Sequence, residues 1–527
     1  MNMKKINISI LALGIIPIIT SCDSYLDTLP DDRAEVNSIE KVQSLLTTAY
    51  PSHTSAMVLE ISSDNVMDNG TLYKTQPNID KAYRWEEIET TGNDDPKALW
   101  QSTYTAVATA NEALNGLATL AESSKTKGIK AEALLCRAYS MFSLANTFCM
   151  AYDPTKAQST YLGLPYPKVS GVSVNERGTL EELYANINED IEEALPLLDD
   201  SYLTVPKYHF NAKAAYAFAA RFNLFYLKYD KAIEYATKAL GNAPQTLLRQ
   251  TSSYIGLAGI EDISNAYIRS GQNCNFMMQT AYSLVGRIFT SSSYRRYCSA
   301  RPIVANELFW AKMPWAPAGG SKNNSLCESH LLYGNNQSVY YPKMMEIFEI
   351  TDKINQTGFA HIVNVPFTAD ETLLVRAEAK AMLKKYNEAV EDINLWISVR
   401  CSKKNSGTAP VPVMTAESIK TFMEGLSEVP SVIVDDTQRG VRKPLHPQGY
   451  TVEAGEQTAI IQFILQMRRV ETWQQGMRMQ DIKRWGIEFS HNLEGEKTLE
   501  FKAGDYRGAI QIPQDVLAAG IEPNPRD

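Results

Sequence analysis

The sequence predicts a mostly α protein built on tetratricopeptide-like helix pairs that long loop insertions separate. Three observations predict it. Long stretches carry apolar residues at helical spacing. Two of them, around Ala220 and Ala377, align without gaps at an offset of 157 residues. The stretches between are rich in Gly, Pro, Ser and Asn, the composition of loops and short strands.

The elements follow in chain order. Residues 98–122 form a helical stripe through Trp100, Tyr104, Val107, Ala108, Leu114 and Leu117. Residues 129–149 are apolar nearly all round, as expected of a helix packed between others. Thr179-Leu180-Glu181-Glu182 reads as a capping box. It opens a helix whose apolar face runs through Leu183, Tyr184, Ile187, Ile191 and Leu195, with Pro196 near its end. In the repeat, Ala220 matches Ala377, Tyr229 matches Tyr386 and Ala232 matches Ala389. Small residues let two helices approach closely, and the aromatic fills the gap at their turn. The helical scaffold is therefore placed at 98–245 and 371–400. A loop-rich insertion is placed at 246–370 and a motif-bearing C-terminal region at 401–527.

The N-terminus explains where such a protein works. Lys4 and Lys5 precede an apolar stretch from Ile6 to Ile19, which ends in Ile19-Thr20-Ser21-Cys22. That stretch has the length of a signal-peptide core and is short for a membrane span. An apolar residue, two small residues and a Cys form the pattern that a lipoprotein signal peptidase reads. Residues 1–21 are thus expected to be a signal peptide and Cys22 the lipidated first residue of the mature chain, 22–527. More than one acyl chain makes such anchoring stable.

Composition excludes some functions. Removing residues 1–21 takes away two lysines and no acid, so 49 basic residues face 60 acidic ones, a net charge of −11. Nucleic-acid binding needs a basic footprint and is not expected. Six cysteines remain (Cys136, Cys149, Cys274, Cys298, Cys327 and Cys401), none in a CxxC, and their pairing cannot be read from sequence. The six histidines are scattered without metal-ligand spacing, so no metal and no cofactor is expected.

The densest motif lies at 457–485. Read as one helix, it puts Arg468, Glu471, Arg478, Asp481, Arg484 and Trp485 together with Gln475 on a shared face. Its acids could be taken for a general acid and base. They are outnumbered by neighbouring arginines that hold them ionised, so the face is read as a structural ionic network with no catalytic residue.

Taken in order, these segments resemble the SusD/RagB-like family. Cys22-Asp23-Ser24-Tyr25-Leu26-Asp27 with Pro30 is similar to its opening. Trp100, Tyr104 and Asn111 resemble one helix of the family. Glu132, Arg137, Ala138 and Tyr139 resemble the next, and Arg177, Thr179, Tyr184 and Asp190 the one after. Arg376-Ala377-Glu378-Ala379, the helix from Arg468 to Trp485, and Ile512-Pro513-Gln514 with Asn524-Pro525 complete the set. Thr472, Gln475 and Ile482 depart from the signature, which puts fine packing in doubt and not membership.

The resemblance implies a single compact, mostly helical domain with four tetratricopeptide-like pairs. It also implies a lipid-anchored place on the exterior of the outer membrane, beside a SusC-like TonB-dependent transporter. The ligand it implies is a glycan, or a peptide in the RagB-like branch. Fold alone does not fix the ligand.

Four functions are therefore weighed: glycan capture, peptide capture, an envelope hydrolase, and an adaptor for protein partners only. No nucleophile elbow, metal motif or phosphate loop supports the hydrolase. Glycans need exposed aromatics among hydrogen-bonding side chains. Tyr83, Trp85, Tyr294, Trp310 and Trp315 lie in polar, loop-like stretches and are the expected ligand contacts, within two regions at about 65–97 and 290–345. Whether the three tryptophans cluster at an exposed surface is the observation that separates a glycan site from a peptide site.

Overall fold

Local sequence decides where the helices begin. The structure, a computed structural model, describes residues 36–170, 176–257, 259–291, 293–327, 331–333, 338–403 and 409–526. Cys22 and the opening motif lie outside the described residues. Helices α1 (Ile39–Leu46), α2 (Ala56–Ile61) and α3 (Pro77–Arg84) lead to α4 (Pro96–Ala118) and α5 (Ser124–Phe148). Proline in the first turn of α3 and α4 suits a position whose N–H has no helical partner. A Ser123–Thr126 capping box opens α5, and the expected Thr179–Glu182 box opens α6 (Leu180–Ala194).

The 157-residue repeat reappears at three of the four helix boundaries. Helices α7 (Ala212–Phe225) and α8 (Tyr229–Leu240) begin 157 residues before α12 (Ala369–Met382) and α13 (Tyr386–Arg400). Even the turn matches: Leu227 and Lys384 both hold φ at +60°. Such a left-handed residue is costly outside Gly, and its recurrence shows that helix contact imposes it. Ala220, Ala377, Ala232 and Ala389 are fully buried, as close helix approach requires.

Between the repeats lie the short helices α9 (Ile260–Ile268), α10 (Val285–Thr290) and α11 (Arg301–Asn306). Beyond them come α14 (Ala416–Glu424), α15 (Glu456–Glu471), α16 (Met477–Trp485) and α17 (Gln514–Ala518). Helix α4 packs on α5, α5 on α6, α8 on α12, and α12 on both α13 and α15. Residues 37–527 form one compact unit. None of its described helices is long and apolar enough to cross a membrane.

The strands are few and antiparallel. Strand β1 (Met67–Asp68) pairs with β3 (Tyr297–Cys298), joining the two loop regions that sequence singled out. Strands β2 (Asn275–Ala281), β7 (Thr357–Thr368) and β6 (Ile347–Asp352) form one sheet in the order β2-β7-β6. Two hairpins, β4 (Leu331–Tyr333) with β5 (Ser338–Tyr340) and β8 (Phe489–His491) with β9 (Leu499–Phe501), complete the set.

Buried ion pairs join helices that the family-like motifs mark. Arg137 on α5 makes a bidentate pair with Asp190 on α6 at 2.6 and 2.7 Å, and donates to Asn111 on α4 at 2.7 Å. Arg376 on α12 holds Asp392 on α13 in the same way. Cys136, Cys149, Cys274 and Cys298 are buried thiols.

The signature segment differs from its expected form. It is two helices, broken at residues 472–476, where Gln474 and Gly476 adopt φ of +61° and +74°. The Glu60 carboxylate accepts the backbone N–H groups of Gln474 and Gly476 at 2.8 and 3.1 Å. A buried acceptor from α2 thus replaces the helical hydrogen bonds lost at the break.

Glu471 and Asp481 are consequently parted. Asp481 accepts from Arg468 at 3.0 Å and Arg484 at 2.7 Å, and Arg484 also reaches Glu378. Trp485 donates its indole N–H to Glu378. Arg478 turns to Asp64, and Glu471 pairs with Arg400.

Candidate functional site

Helix α4 has two faces. Trp100 and Val107 point into the core, while Ala98, Gln101, Ser102 and Thr105 share another face at helical spacing. That second face forms one wall of a cleft of about 680 Å3. Thr47, Thr48 and residues 50–53 after α1, Tyr208, and Met278, Gln279 and Thr280 of β2 form the rest. The volume falls in the range of small-molecule sites.

An aromatic row leads out of this cleft. Tyr282 donates its backbone N–H to Ser52 O at 2.8 Å, which brings it beside His53. Their ring centroids lie 5.6 Å apart, and Tyr282 meets Phe359 of β7 at 5.9 Å. Tyr282 is 38% exposed and Phe359 57% exposed. Tyr50 is fixed from behind, donating to Glu132 at 2.7 Å and accepting the Phe210 N–H at 2.8 Å. Burial pulls the His53 pKa below its ordinary value against a hydrogen bond with Asn93, so the ring is neutral at pH 7.

A second cavity, of about 270 Å3, is charged: Asp64, Asp68, Asp435, Arg439 and Lys443 line it. Asp64 pairs with Lys443, Arg469 and Arg478, Asp68 with Arg296, and Arg439 and Lys443 with Glu307. Burial alone would raise the Asp64 carboxyl, but Arg469, Arg478 and Lys443 outweigh it and hold Asp64 well below the carboxylate range. Glu307 is likewise held down to about 2 by Lys443, Arg469 and Arg439 against the effect of burial.

The expected aromatic contacts are placed otherwise than sequence suggested. Trp85, Trp310 and Trp315 do not cluster at an exposed surface; all three are buried. Trp85 ends α3 in the left-handed region, donates its indole N–H to Ser62 O, and lies between rings of His491, Phe489 and Phe501. Trp315 is fully buried against Trp396 and Phe463. Tyr83 is buried too, although it lines the smaller cavity, where its hydroxyl donates to Asn492 O. Of the five, Tyr294 alone is exposed. Polar neighbours in sequence made these tryptophans look like loop residues, whereas partners distant in the chain bury them.

Sequence reading passed over Tyr50, His53, Gln279, Tyr282 and Phe359. Their one local signal is the polar face of α4 opposite its apolar stripe. The remaining walls come from segments far apart in the chain.

Comparison with known proteins adds the family. Residues 24–224 match a family model described as starch-binding, associating with outer membrane, and residues 332–516 match the model of the SusD family. Comparison with curated proteins finds no match. Among solved structures, a SusD superfamily protein from Bacteroides thetaiotaomicron VPI-5482 shares the fold with a TM-score of 0.62 at 17% identity. The match covers 93% of this chain and all of that one. A SusD superfamily protein from Bacteroides vulgatus ATCC 8482 gives 0.63 at 17% identity, covering 93% of this chain and 99% of that one. A SusD-like carbohydrate binding protein from the same organism gives 0.57 at 17% identity, with 89% and 90% covered. With two family models matching in chain order over most of its length, and with SusD superfamily structures sharing its mostly helical fold, this chain belongs to the SusD/RagB-like family.

Proposed function

We propose that this protein is a cell-surface lipoprotein that captures oligo- or polysaccharide and delivers it to a SusC-like TonB-dependent outer-membrane transporter. The observation that carries the reading is the 680 Å3 cleft, walled by hydroxyl and amide side chains, with the His53–Tyr282–Phe359 row at its edge. Sugars present apolar C–H faces and hydroxyl groups, which rings and neutral polar groups match without charge. The description of the N-terminal family model as starch-binding and outer-membrane-associated supports the same role, as does the carbohydrate-binding relative. Cys22 would carry the anchor, and the protein acts by binding, with no catalytic residue assigned.

Calorimetry with a panel of oligosaccharides tests capture, and co-isolation from outer membranes tests the partner. Binding of at least one glycan, lost when Tyr282 and Phe359 are truncated, supports the reading. Absence of glycan binding together with binding of peptides would overturn it.

Peptide capture is favoured by one specific observation. Strand β6 is a sheet edge whose outer side pairs with no described strand, and Phe348 and Ile350 on it are exposed. An extended peptide could add there as a further strand. The burial of Trp85, Trp310 and Trp315 also removes the tryptophan platform that sequence had offered for sugars.

A further inference from the structure

The cleft is uncharged. Thr47, Ser52, Gln101, Ser102 and Thr105 line it with hydroxyl and amide groups, and among the described lining residues none but His53 is acidic or basic. Charged groups next to lining residues are engaged, and Lys207, beside Tyr208, donates to the Ser270 and Gln272 carbonyls. Glu132, behind Tyr50, is hydrogen-bonded by Tyr50, Tyr202 and His209, each at 2.7 Å. Asp94, one residue after the Asn93 that contacts His53, accepts from the Ser283 hydroxyl and from the Leu284 N–H. His53 itself is neutral, as burial requires.

One polar group in the wall is left over. Gln279 lines the cleft, is nine-tenths buried, and its Nε2 has no hydrogen-bond partner. A buried amide donor without a partner is costly. Nε2 itself is shut off from solvent, so as placed the amide offers only its Oε1 as an acceptor, and a half-turn about the last side-chain torsion, which exchanges the two atoms, would present the donor to a ligand hydroxyl instead.

From this geometry we infer that the cleft selects uncharged sugar residues, with Gln279 as a specificity-determining contact, and rejects uronic acids and sulfated sugars. The inference rests on the capture reading above. A carboxylate or sulfate entering the cleft gives up its hydration and meets no cation there, whereas a hydroxyl meets neutral partners for its donor and acceptor.

The test is calorimetry on the processed, full-length protein in detergent. The probes are neutral hexasaccharides of glucose, mannose, galactose and xylose, an oligogalacturonate of equal length and a sulfated galactan oligosaccharide. The inference expects a neutral probe to bind, and each acidic probe to bind about tenfold more weakly or worse. Gln279→Glu keeps the side-chain size and should weaken neutral binding by about tenfold. Thr48→Lys, at an exposed position of the cleft wall, should strengthen acidic binding relative to neutral binding by about threefold at low salt.

An acidic probe that binds as tightly as the best neutral one overturns the selectivity and leaves capture standing. A Gln279→Glu variant with unchanged melting temperature and unchanged neutral binding overturns the assignment to Gln279. If Gln279→Glu does not fold, Thr48→Lys decides, and unaltered acidic binding relative to neutral binding counts against an uncharged cleft. Failure of every glycan to bind the parent protein overturns capture itself.

Discussion

Tyr83 and His491 stack face to face, with ring centroids 3.9 Å apart and planes 2° from parallel. Tyr297 continues the stack from Tyr83 at 4.1 Å, and Trp85 continues it from His491 at 4.5 Å. The rings tie α3 and β3 to the C-terminal hairpin at β8. Both imidazole nitrogens lie near backbone carbonyls, Tyr83 O at 2.7 Å and Ser63 O at 3.0 Å. Trp85 is therefore a wedge between chain regions rather than a platform for sugar.

Truncating that wedge should cost stability and spare binding. Trp85→Ala is expected to destabilise the fold by about 3–5 kcal/mol, the usual loss for a buried Trp. Urea denaturation measures the loss, and calorimetry at a temperature where the variant is folded measures ligand affinity. Unchanged stability with abolished binding would return Trp85 to the ligand site.

Asp481→Asn should destabilise the fold by about 3–5 kcal/mol, since it leaves Arg468 and Arg484 short of a buried counter-charge. Burial opposes ionisation of Asp481, yet the two guanidiniums hold its pKa below the ordinary value. Guanidinium denaturation midpoints give the readout. A variant as stable as the parent that no longer binds ligand would make this cluster a site.

These two cases show what sequence could and could not tell. The repeat was legible because each helix pair is local: Ala220 and Tyr229, or Ala377 and Tyr386, lie on helices joined by one short turn. The break between α15 and α16 was not, because Glu60, 414 residues from Gln474, sets it. Gly476 was its one local sign, and a lone Gly inside a helical pattern is weak evidence. Trp315 misled for the same reason, since Trp396 and Phe463 cover it from other helices. The cleft gathers segments from Thr47 to Thr280 that share no motif, so no window of sequence contains it.

Glu60 links that break to pH. Burial raises its pKa to about 7, against hydrogen bonds from Asn65, Gln474 and Gly476. A carboxyl whose folded pKa lies above its unfolded value of about 4.5 binds its proton more tightly when folded. Its contribution to stability is therefore present at low pH and lost as pH rises from about 4.5 to 7. At about 1.4 kcal/mol per pKa unit, the parent should lose roughly 3 kcal/mol from this group across that window. Glu60→Gln should remove that part of the slope. Urea titrations of both proteins at pH 5 and pH 8 check it, and equal slopes in parent and variant would refute the linkage.

If the proposed anchor is right, Cys22→Ala should abolish membrane attachment, because its thiol would carry the diacylglycerol. Fractionation and radiolabelled palmitate incorporation test this. Full retention of the variant in the outer membrane without label would show that something other than Cys22 anchors the protein.

The aromatic row makes the sharpest demand on the proposed site. Tyr282 follows directly after β2 and Phe359 lies on β7, and their rings meet 5.9 Å apart beside the cleft-lining His53. Each should contribute on the order of 1–3 kcal/mol to glycan binding if a sugar face lies on it, by analogy with aromatic hot spots in interfaces. Tyr282→Ala and Phe359→Ala should thus weaken binding by roughly tenfold each. Stability at the more exposed Phe359 should move by only about 0.5 kcal/mol. Phe348→Ala supplies the control. Phe348 is exposed on the same hairpin, but it pairs across from Ala360 while Phe359 pairs across from Glu349, so the two rings lie on opposite faces of the sheet. Loss of binding in the first two variants with parent-like binding in the third would place the glycan on the cleft side. The reverse pattern would put the ligand at the edge of β6, where a peptide strand would add.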